Sequence, residues 1–228
     1  TDKPAEHEYA HSAGTMMDRN LGATSATPGE VGALGLFYQW GRKDPFLGSS
    51  AISGYNVAKS TITWPGKVES SAETGTIAYA VTHPTTFISN TDEYSNRDWY
   101  YTGDNTTDNT RWTEAKSVYD PCPAGWRVPN GGTDGIWETA GFNNPTFDDT
   151  NKGKTFSNNG IEIWYPAAGY LAYDNVLSKA GTSLYCWTAT PWPDSAKAIN
   201  LYFKSGSQNL VTNYGIRVNG CSVRCCKE

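Results

Sequence analysis

The most constraining feature of the sequence is an alternating stretch near the C-terminus, residues 198–204. Apolar and polar side chains take turns along it, which is the pattern of a β-strand with one face in the core and the other in water. The apolar positions are Ile199, Leu201 and Phe203, and the polar positions are Asn200, Tyr202 and Lys204. We interpret this strand and the neighbouring segments 183–190 and 220–227 as the last strands of one sheet.

Two loops are predicted between these strands, at 191–197 and 205–219. Both are rich in aromatic, amide and charged side chains, which on loops braced by apolar strands are typical of binding surfaces. Because exposed Trp, Tyr and Arg dominate binding hot spots, replacing Trp192, Tyr214 or Arg217 with alanine should weaken attachment and leave the melting temperature nearly unchanged. The candidate ligand-binding residues are Trp192, Asp194, Lys197, Asn200, Tyr202, Lys204, Gln208, Asn209, Asn213, Tyr214 and Arg217.

Some of these side chains also have a purely structural interpretation. Asn200, Tyr202 and Lys204 fit the exposed face of an amphipathic strand equally well. Trp187 is expected in the core because it lies inside a predicted strand, and a core position is an alternative for Tyr185 as well.

Composition favours one loop-rich, mainly β domain. Of the 228 residues 13% are aromatic and only 18% are charged, which is too aromatic for disorder and unlike a helical bundle. The net charge of -5 argues against a nucleic-acid partner, since no basic stripe is present to neutralise phosphates. No stretch resembles a membrane span or a signal peptide. We expect a linker at 1–13 and a single domain at 14–228 with a loop-rich insertion around 47–113.

The five cysteines, an odd number, cannot all pair within the chain. If the last segment is a strand, Cys221 and Cys225 face one way and Cys226 faces the other. A bridge between Cys122 and Cys225 would close a loop of about a hundred residues and stabilise the fold by roughly 4–5 kcal/mol. Buried free thiols are the alternative, because spacing alone does not fix connectivity.

Local patterns predict further elements along the chain. A short strand begins at Gly14, an extended core segment covers 36–40, and another strand follows from Ile161. The segment 133–142 predicts a short helix that buries Ile136, Trp137 and Ala140, with Thr133 or Asp134 as its N-cap. The insertion is expected to pack on its own aromatic side chains.

No motif for catalysis, metal binding or a cofactor stands out. His7 and His11 have helical spacing but lack the partners of a zinc protease site, and no phosphate loop or nucleophile elbow is present. The stretch 148–153 resembles a calcium loop faintly, but it lacks the terminal bidentate Glu, so a solvated turn is favoured.

Seven motifs in order resemble one known family, the Fibrobacter succinogenes major paralogous domain, and the resemblance covers 14–227. The chain is also similar to the variable proteins of diversity-generating retroelements. The motifs are Asp18-Arg-Asn-Leu-Gly-Ala, Tyr38-Gln-Trp-Gly-Arg-Lys-Asp-Pro-Phe, Asp120-Pro-Cys-Pro-Ala-Gly-Trp-Arg-Val-Pro, Pro166-Ala-Ala-Gly-Tyr, Trp187-Thr-Ala-Thr-Pro, Leu201-Tyr-Phe and Gly220-Cys-Ser-Val-Arg-Cys.

The resemblance implies an α+β, C-type-lectin-like fold of mainly short antiparallel strands, one or two short helices and long irregular loops. It also implies that the variable positions lie between Tyr185 and Cys221. The calcium-dependent sugar signatures of C-type lectins are missing, so any sugar recognition would be metal-independent. Cys186 and Cys221 depart from the family pattern, and they are expected either to form a second bridge or to be free thiols.

The function implied by the resemblance is a non-enzymatic, ligand-binding adhesin module at the cell surface, at the tip of a pilus. Its partners would be a protein or glycan on host or neighbouring cells, and pilin subunits through a region upstream of this chain. Attachment to an outer membrane would use an anchor outside the chain. The alternatives are a structural cap of the pilus and, less favoured, an enzyme of the formylglycine-generating type using Cys221 and Cys225.

Overall fold

Short antiparallel strands build most of the molecule, and with two short helices they make it an α+β protein. The computed structural model describes residues 4–48, 66–92, 97–104, 106–142, 144–208 and 210–228. The elements are β1 (Glu6–Tyr9), β2 (Gly14–Met17), β3 (Tyr38–Gln39), β4 (Lys67–Glu69), α1 (Ile77–Thr82), β5 (Phe87–Ser89), β6 (Trp126–Arg127), α2 (Ile136–Thr139), β7 (Gly153–Asn158), β8 (Ile161–Pro166), β9 (Tyr170–Leu171), β10 (Leu177–Ser178), β11 (Ser183–Pro191), β12 (Lys197–Lys204), β13 (Leu210–Ile216), β14 (Gly220–Cys221) and β15 (Cys226–Lys227).

The longest strands form an antiparallel sheet in the order β11-β12-β13. As the alternation predicts, Leu201 and Phe203 are fully buried and Ile199 is nearly so. Leu184 and Cys186 on β11 share the face of Leu201 and Phe203, because the register pairs them with those residues. This face packs against a core that also includes α2 and the β7–β8 hairpin.

The predicted loop at 205–219 is wrong, because its middle forms β13. The register aligns Asn213 with Asn200 and Tyr214 with Ile199, so β12 supplies the backbone partners of a third strand. The polar composition of 212–215 hides this strand from a search for alternating apolar residues. The first predicted loop, 191–197, is a connection between β11 and β12.

The C-terminal segment does not join this sheet as a regular strand. β14 pairs with β3 and β9, and β15 pairs with β2 and β6, so the tail connects two other sheets. All residues from Cys221 to Cys226 are buried. Cys221, Val223 and Cys225 lie in one core cluster and Cys226 lies in another, which confirms the predicted division into two faces and shows that both faces are buried.

A disulfide joins Cys122 to Cys225, with a sequence separation of 103 residues. This confirms the favoured pairing, and a loop of that length implies about 4–5 kcal/mol of stabilisation in the chain-entropy description. Cys186, Cys221 and Cys226 are free and buried. A second bridge between Cys186 and Cys221 is therefore not formed.

Part of the predicted linker at 1–13 belongs to the folded domain. β1 pairs with β2 along its whole length. Tyr9 is completely buried, and its hydroxyl lies 2.7 Å from that of Tyr165. The strand forms because Tyr9 brings an aromatic ring into the main core, which the polar residues around it conceal in the sequence.

The short helix α2 buries Ile136 and Trp137, as predicted. Its N-cap is Gly135, and no side chain caps it, so the predicted cap by Thr133 or Asp134 is wrong. The capping residue lies one position beyond the candidates because the helix begins only at Ile136.

The insertion is anchored to the main core rather than packed on itself. Trp99 and Trp112 are buried, and Trp99 Nε1 donates to the backbone oxygen of Trp40 at 2.8 Å. The Trp40 and Trp112 rings lie 5.7 Å apart. Positions 49–65 of the insertion lie outside the described residues. No helix among the described residues combines the length and apolar character needed to cross a membrane.

Candidate functional site

A concave surface lined with tyrosines lies on the Tyr185 and Tyr202 side of the β11-β12-β13 sheet and reaches the edge of the sheet at Tyr214. It encloses about 400 Å³ and is completed by residues around β9, β10 and β14. We call it the tyrosine groove, defined by Tyr170, Tyr173, Tyr185, Tyr202 and Tyr214.

Strand register and aromatic packing fix the tyrosines of the groove. Tyr185 and Tyr202 are cross-strand partners, and their ring centroids lie 4.9 Å apart. Tyr170 meets Tyr185 edge-on at 4.7 Å. At the rim, Trp192 packs on Tyr214 at 4.6 Å, and Tyr214 remains 41% exposed. Rings held by their neighbours lose little side-chain entropy when a ligand binds.

Asparagine amides lie between the tyrosines. Asn213 Nδ2 donates to Asn200 Oδ1 at 2.8 Å, which orients both side chains across β12 and β13. Asn200 Nδ2 and Asn219 Oδ1 are buried and have no hydrogen-bond partner among the described residues. Since buried polar atoms are nearly always paired, one donor and one acceptor remain to be satisfied here. A Cβ at Gly215 would lie 3.1 Å from Asn200 Nδ2, so glycine keeps a side chain off this amide.

Cations also line the groove. The Arg97 guanidinium lies 4.1 Å from the ring centre of Tyr173, and Lys179 Nζ lies 3.4 Å from the hydroxyl of Tyr185. Burial, and then the hydroxyls of Tyr202 and Tyr170, raise the pKa of Tyr185. Tyr185 therefore remains a neutral hydroxyl that can donate or accept a hydrogen bond at physiological pH.

Six of the predicted ligand-binding residues come together at the groove. Asn200, Tyr202, Asn213 and Tyr214 line it. Trp192 packs against Tyr214 from outside, and Lys197 Nζ lies 4.9 Å from the Tyr214 ring centre. Their role in binding stays a prediction, and the exposed interpretation of Asn200 is wrong because its side chain is completely buried.

Other predicted residues lie elsewhere. Asp194 is exposed in the β11–β12 turn, with a φ of 51°. Lys204 is exposed at the far end of β12, and Gln208 lines a separate cleft beside Lys154. Asn209 lies outside the described residues.

The expectation that Arg217 is an exposed contact residue is wrong. Its side chain has no exposed surface, and its guanidinium lies 4.2 Å from the Trp40 ring centre. Nε donates to the Lys197 backbone oxygen at 3.0 Å, and Nη1 lies 3.6 Å from Asp98. Arg217 follows β13 directly and turns inward, so it supports the sheet from within.

Sequence reasoning missed much of the groove. Tyr170, Tyr173, Lys179 and Arg97 were not candidates, and Asn219 only marked the end of a predicted loop. Tyr170 lies in β9, where residues three apart point to opposite faces, so its spacing from Tyr173 gives no sign of a shared surface. No local signal marks Arg97, because the tertiary pairing of its backbone oxygen with Val218 N places it at the groove.

The remaining candidates for chemistry have structural roles. Asp148 accepts hydrogen bonds from the backbone N–H groups of Thr150 and Asn151 at 2.9 Å, which confirms a turn at this site. Cys225 is bonded to Cys122, so it does not form a dithiol with Cys221. The described part of the chain contains no group of three or more His, Cys, Asp or Glu residues suited to hold a metal ion.

The tyrosine groove therefore combines rigid aromatic faces, unpaired amides and two cations in one concave site. This arrangement suits recognition of a ligand that has both apolar and hydrogen-bonding surfaces. Comparisons of the chain with protein-family models, curated proteins and solved structures find no match.

Proposed function

We propose that this chain is a non-enzymatic, sugar-binding adhesin module at a cell surface, and that the tyrosine groove is its ligand site. The observation that carries the proposal is the meeting of five tyrosines with buried, unpaired amide groups in one groove. Tyrosine rings offer flat apolar faces to the C–H faces of a sugar ring, and the amides offer a donor and an acceptor to its hydroxyls.

The shape of the site favours a saccharide over a protein partner. A volume of about 400 Å³ falls within the range of small-ligand pockets. A stable protein interface instead buries roughly 800 Å² on each partner. Among the described residues, Tyr214 is the one exposed large hydrophobic side chain at the groove, so no broad apolar surface surrounds it.

The lectin-like fold and the place at a pilus tip are the parts of the proposal that rest on the sequence resemblance. They are supported by where the groove falls in the chain. Tyr185, Tyr202 and Tyr214 lie within the span from 185 to 221, which corresponds to the variable segment of the similar proteins. The buried Trp187 within this span and the Cys122–Cys225 bridge just beyond its end hold it to the core.

The proposal is tested by screening the purified protein on an array of neutral and acidic oligosaccharides. Tyr202→Ala should lower the affinity for the bound sugars by tenfold or more, because a hot-spot ring is removed. Tyr214→Ala gives a second test at a partly exposed position whose loss should not unfold the protein. Tyr101→Ala is the matched control, since Tyr101 is 45% exposed and does not line the groove.

Two results would contradict this function. One is an array on which the wild-type protein binds no saccharide. The other is equal binding by the wild type and both groove variants. Recovery of pilin subunits alone in a pull-down, together with an empty array, would favour the structural cap.

A further inference from the structure

We propose that the natural ligand of the tyrosine groove is an acidic saccharide whose carboxylate is bound by Arg97 and Lys179. The inference rests on the proposed sugar-binding function and deepens it by assigning the ligand's charge. Uronic acids and sialic acids are the two sugar types that carry such a carboxylate.

The first argument is the charge of the site against the charge of the chain. The whole sequence has a net charge of -5. The residues that line the groove nevertheless include Arg97 and Lys179 and, within the described part of the chain, no Asp or Glu. Lys197 adds a third cation at the rim, over Tyr214. A concave site lined by one sign of charge attracts ligands of the opposite sign.

The second argument is the geometry of Arg97. Its guanidinium is stacked on the Tyr173 ring, and its Nε donates to the backbone oxygen of Asp92. These two contacts hold the planar group in place, and no other described residue accepts a hydrogen bond from its terminal nitrogens, whose donors then face a ligand. A fixed guanidinium of this kind matches the two oxygens of a carboxylate.

The third argument is the distribution of neutral groups next to the cations. Among the described residues, the buried Asn200 Nδ2 is a donor without a partner, and Asn219 Oδ1 is an acceptor without one. Sugar hydroxyls satisfy both kinds of atom, because each hydroxyl donates and accepts. The tyrosine rings of the groove add a stacking surface for a sugar ring. Asp and Glu side chains of an acidic peptide have no ring that could stack on it. These features favour an acidic sugar over an acidic peptide.

The test compares each acidic sugar with its own methyl ester, which keeps the ring and removes the charge. The probes are trigalacturonate and 3′-sialyllactose with their methyl esters, measured by calorimetry at low ionic strength. At least one acid should bind tenfold or more tightly than its ester, and added salt should reduce this difference.

Variants identify the groups that recognise the charge. Arg97→Gln combined with Lys179→Gln should remove the difference between acid and ester, because it weakens binding of the acid far more than binding of the ester. Arg97→Lys keeps the charge, so it should retain part of the preference for the acid that Arg97→Gln loses. A merely structural role of Arg97 would not give this difference between lysine and glutamine. Lys204→Gln is the control, since it removes an exposed lysine of the same sheet that does not line the groove.

The possible failures separate the inference from the proposed function. Equal affinity for acid and ester, both lost in Tyr202→Ala, would overturn the acidic ligand and retain the sugar-binding function. Equal loss of acid and ester in the double glutamine variant would also overturn it. No binding of any sugar would overturn both proposals, and binding of polyglutamate alone would replace the saccharide with an acidic peptide.

Discussion

Arg217 and Arg97 make the same kind of contact in two different regions of the molecule. Their guanidinium carbons lie 4.2 Å from the Trp40 ring centre and 4.1 Å from the Tyr173 ring centre. Arg217 is completely buried, whereas Arg97 lines the open tyrosine groove. The contact with an aromatic ring is therefore not what distinguishes a structural arginine from one available to a ligand.

The difference lies in what surrounds each charge. Burial is the main cause that lowers the pKa of Arg217 to about 10, and the nearby Asp98 opposes this shift. Arg111 is buried beside it and also pairs with Asp98, so two guanidinium groups share this carboxylate. A buried charge of this kind is stable only when oppositely charged or hydrogen-bonding groups surround it. The charge of Arg97 does not require them, because water solvates it.

The largest expected effect is the loss of stability when the buried Arg217 is replaced. Arg217→Ala should lower the free energy of unfolding by about 3–5 kcal/mol, because Asp98 loses a partner and a cavity opens beside Trp40. Arg97→Ala should lower it by less than about 1 kcal/mol. Urea denaturation of both variants measures the contrast. Similar losses of unfolding free energy in the two variants would remove the distinction between the regions. An unchanged unfolding free energy in Arg217→Ala would contradict the buried environment of Arg217.

An intermediate effect is expected at alkaline pH, from the buried thiols behind the sheet. Burial raises the pKa of Cys186 to about 12 and that of Cys226 to about 11, from a usual value of 9.0. The folded protein then keeps protons that the unfolded chain releases, so stability is retained below pH 9 and falls as the pH rises toward 12.

Cys186→Ala isolates this effect in denaturation curves recorded from pH 8 to 10.5. The variant should lose stability with pH less steeply than the wild type, by up to about 1.4 kcal/mol per pH unit. Identical slopes would show that the thiol is not sealed in the folded state. Slow reaction of the native protein with a thiol reagent at pH 8, against rapid reaction in urea, checks the same burial independently.

The smallest effect is expected at a predicted ligand residue that lies outside the groove. Asp194 is exposed and has a φ of 51°, a conformation that glycine adopts at no steric cost. Asp194→Gly should change the free energy of unfolding by less than about 0.5 kcal/mol and leave sugar affinity unaltered. A large loss of affinity would extend the binding site beyond the tyrosine groove to this turn.

The sequence predicts those features of the core that depend on local residue patterns. The buried face of β12 follows from the alternation of Ile199, Leu201 and Phe203, and the core position of Trp187 follows from its strand. The Cys122–Cys225 pairing was the favoured one among several. The inferences on β12 and Trp187 succeed because side-chain period and burial are linked within a single strand.

The groove could not be predicted in the same way. Its walls come from segments near positions 97, 170, 185, 202 and 214, which only the tertiary fold brings together. β13 lacks an apolar alternation and forms because β12 offers it backbone partners. The burial of Arg217 depends on Trp40 and Asp98, both more than a hundred positions away in the chain. Residue type alone therefore assigned this arginine to the surface.

The most direct test of the ligand site is a two-dimensional NMR titration of protein with ring-labelled tyrosine, using the acidic sugar that binds best. The chain has 14 tyrosines, so the groove can be distinguished from the rest of the molecule. We expect the largest shift changes at the five tyrosines of the groove, with Tyr79, Tyr100 and Tyr101 unaffected. Saturating shifts at those three, with the groove signals unchanged, would contradict the assignment of the tyrosine groove as the ligand site.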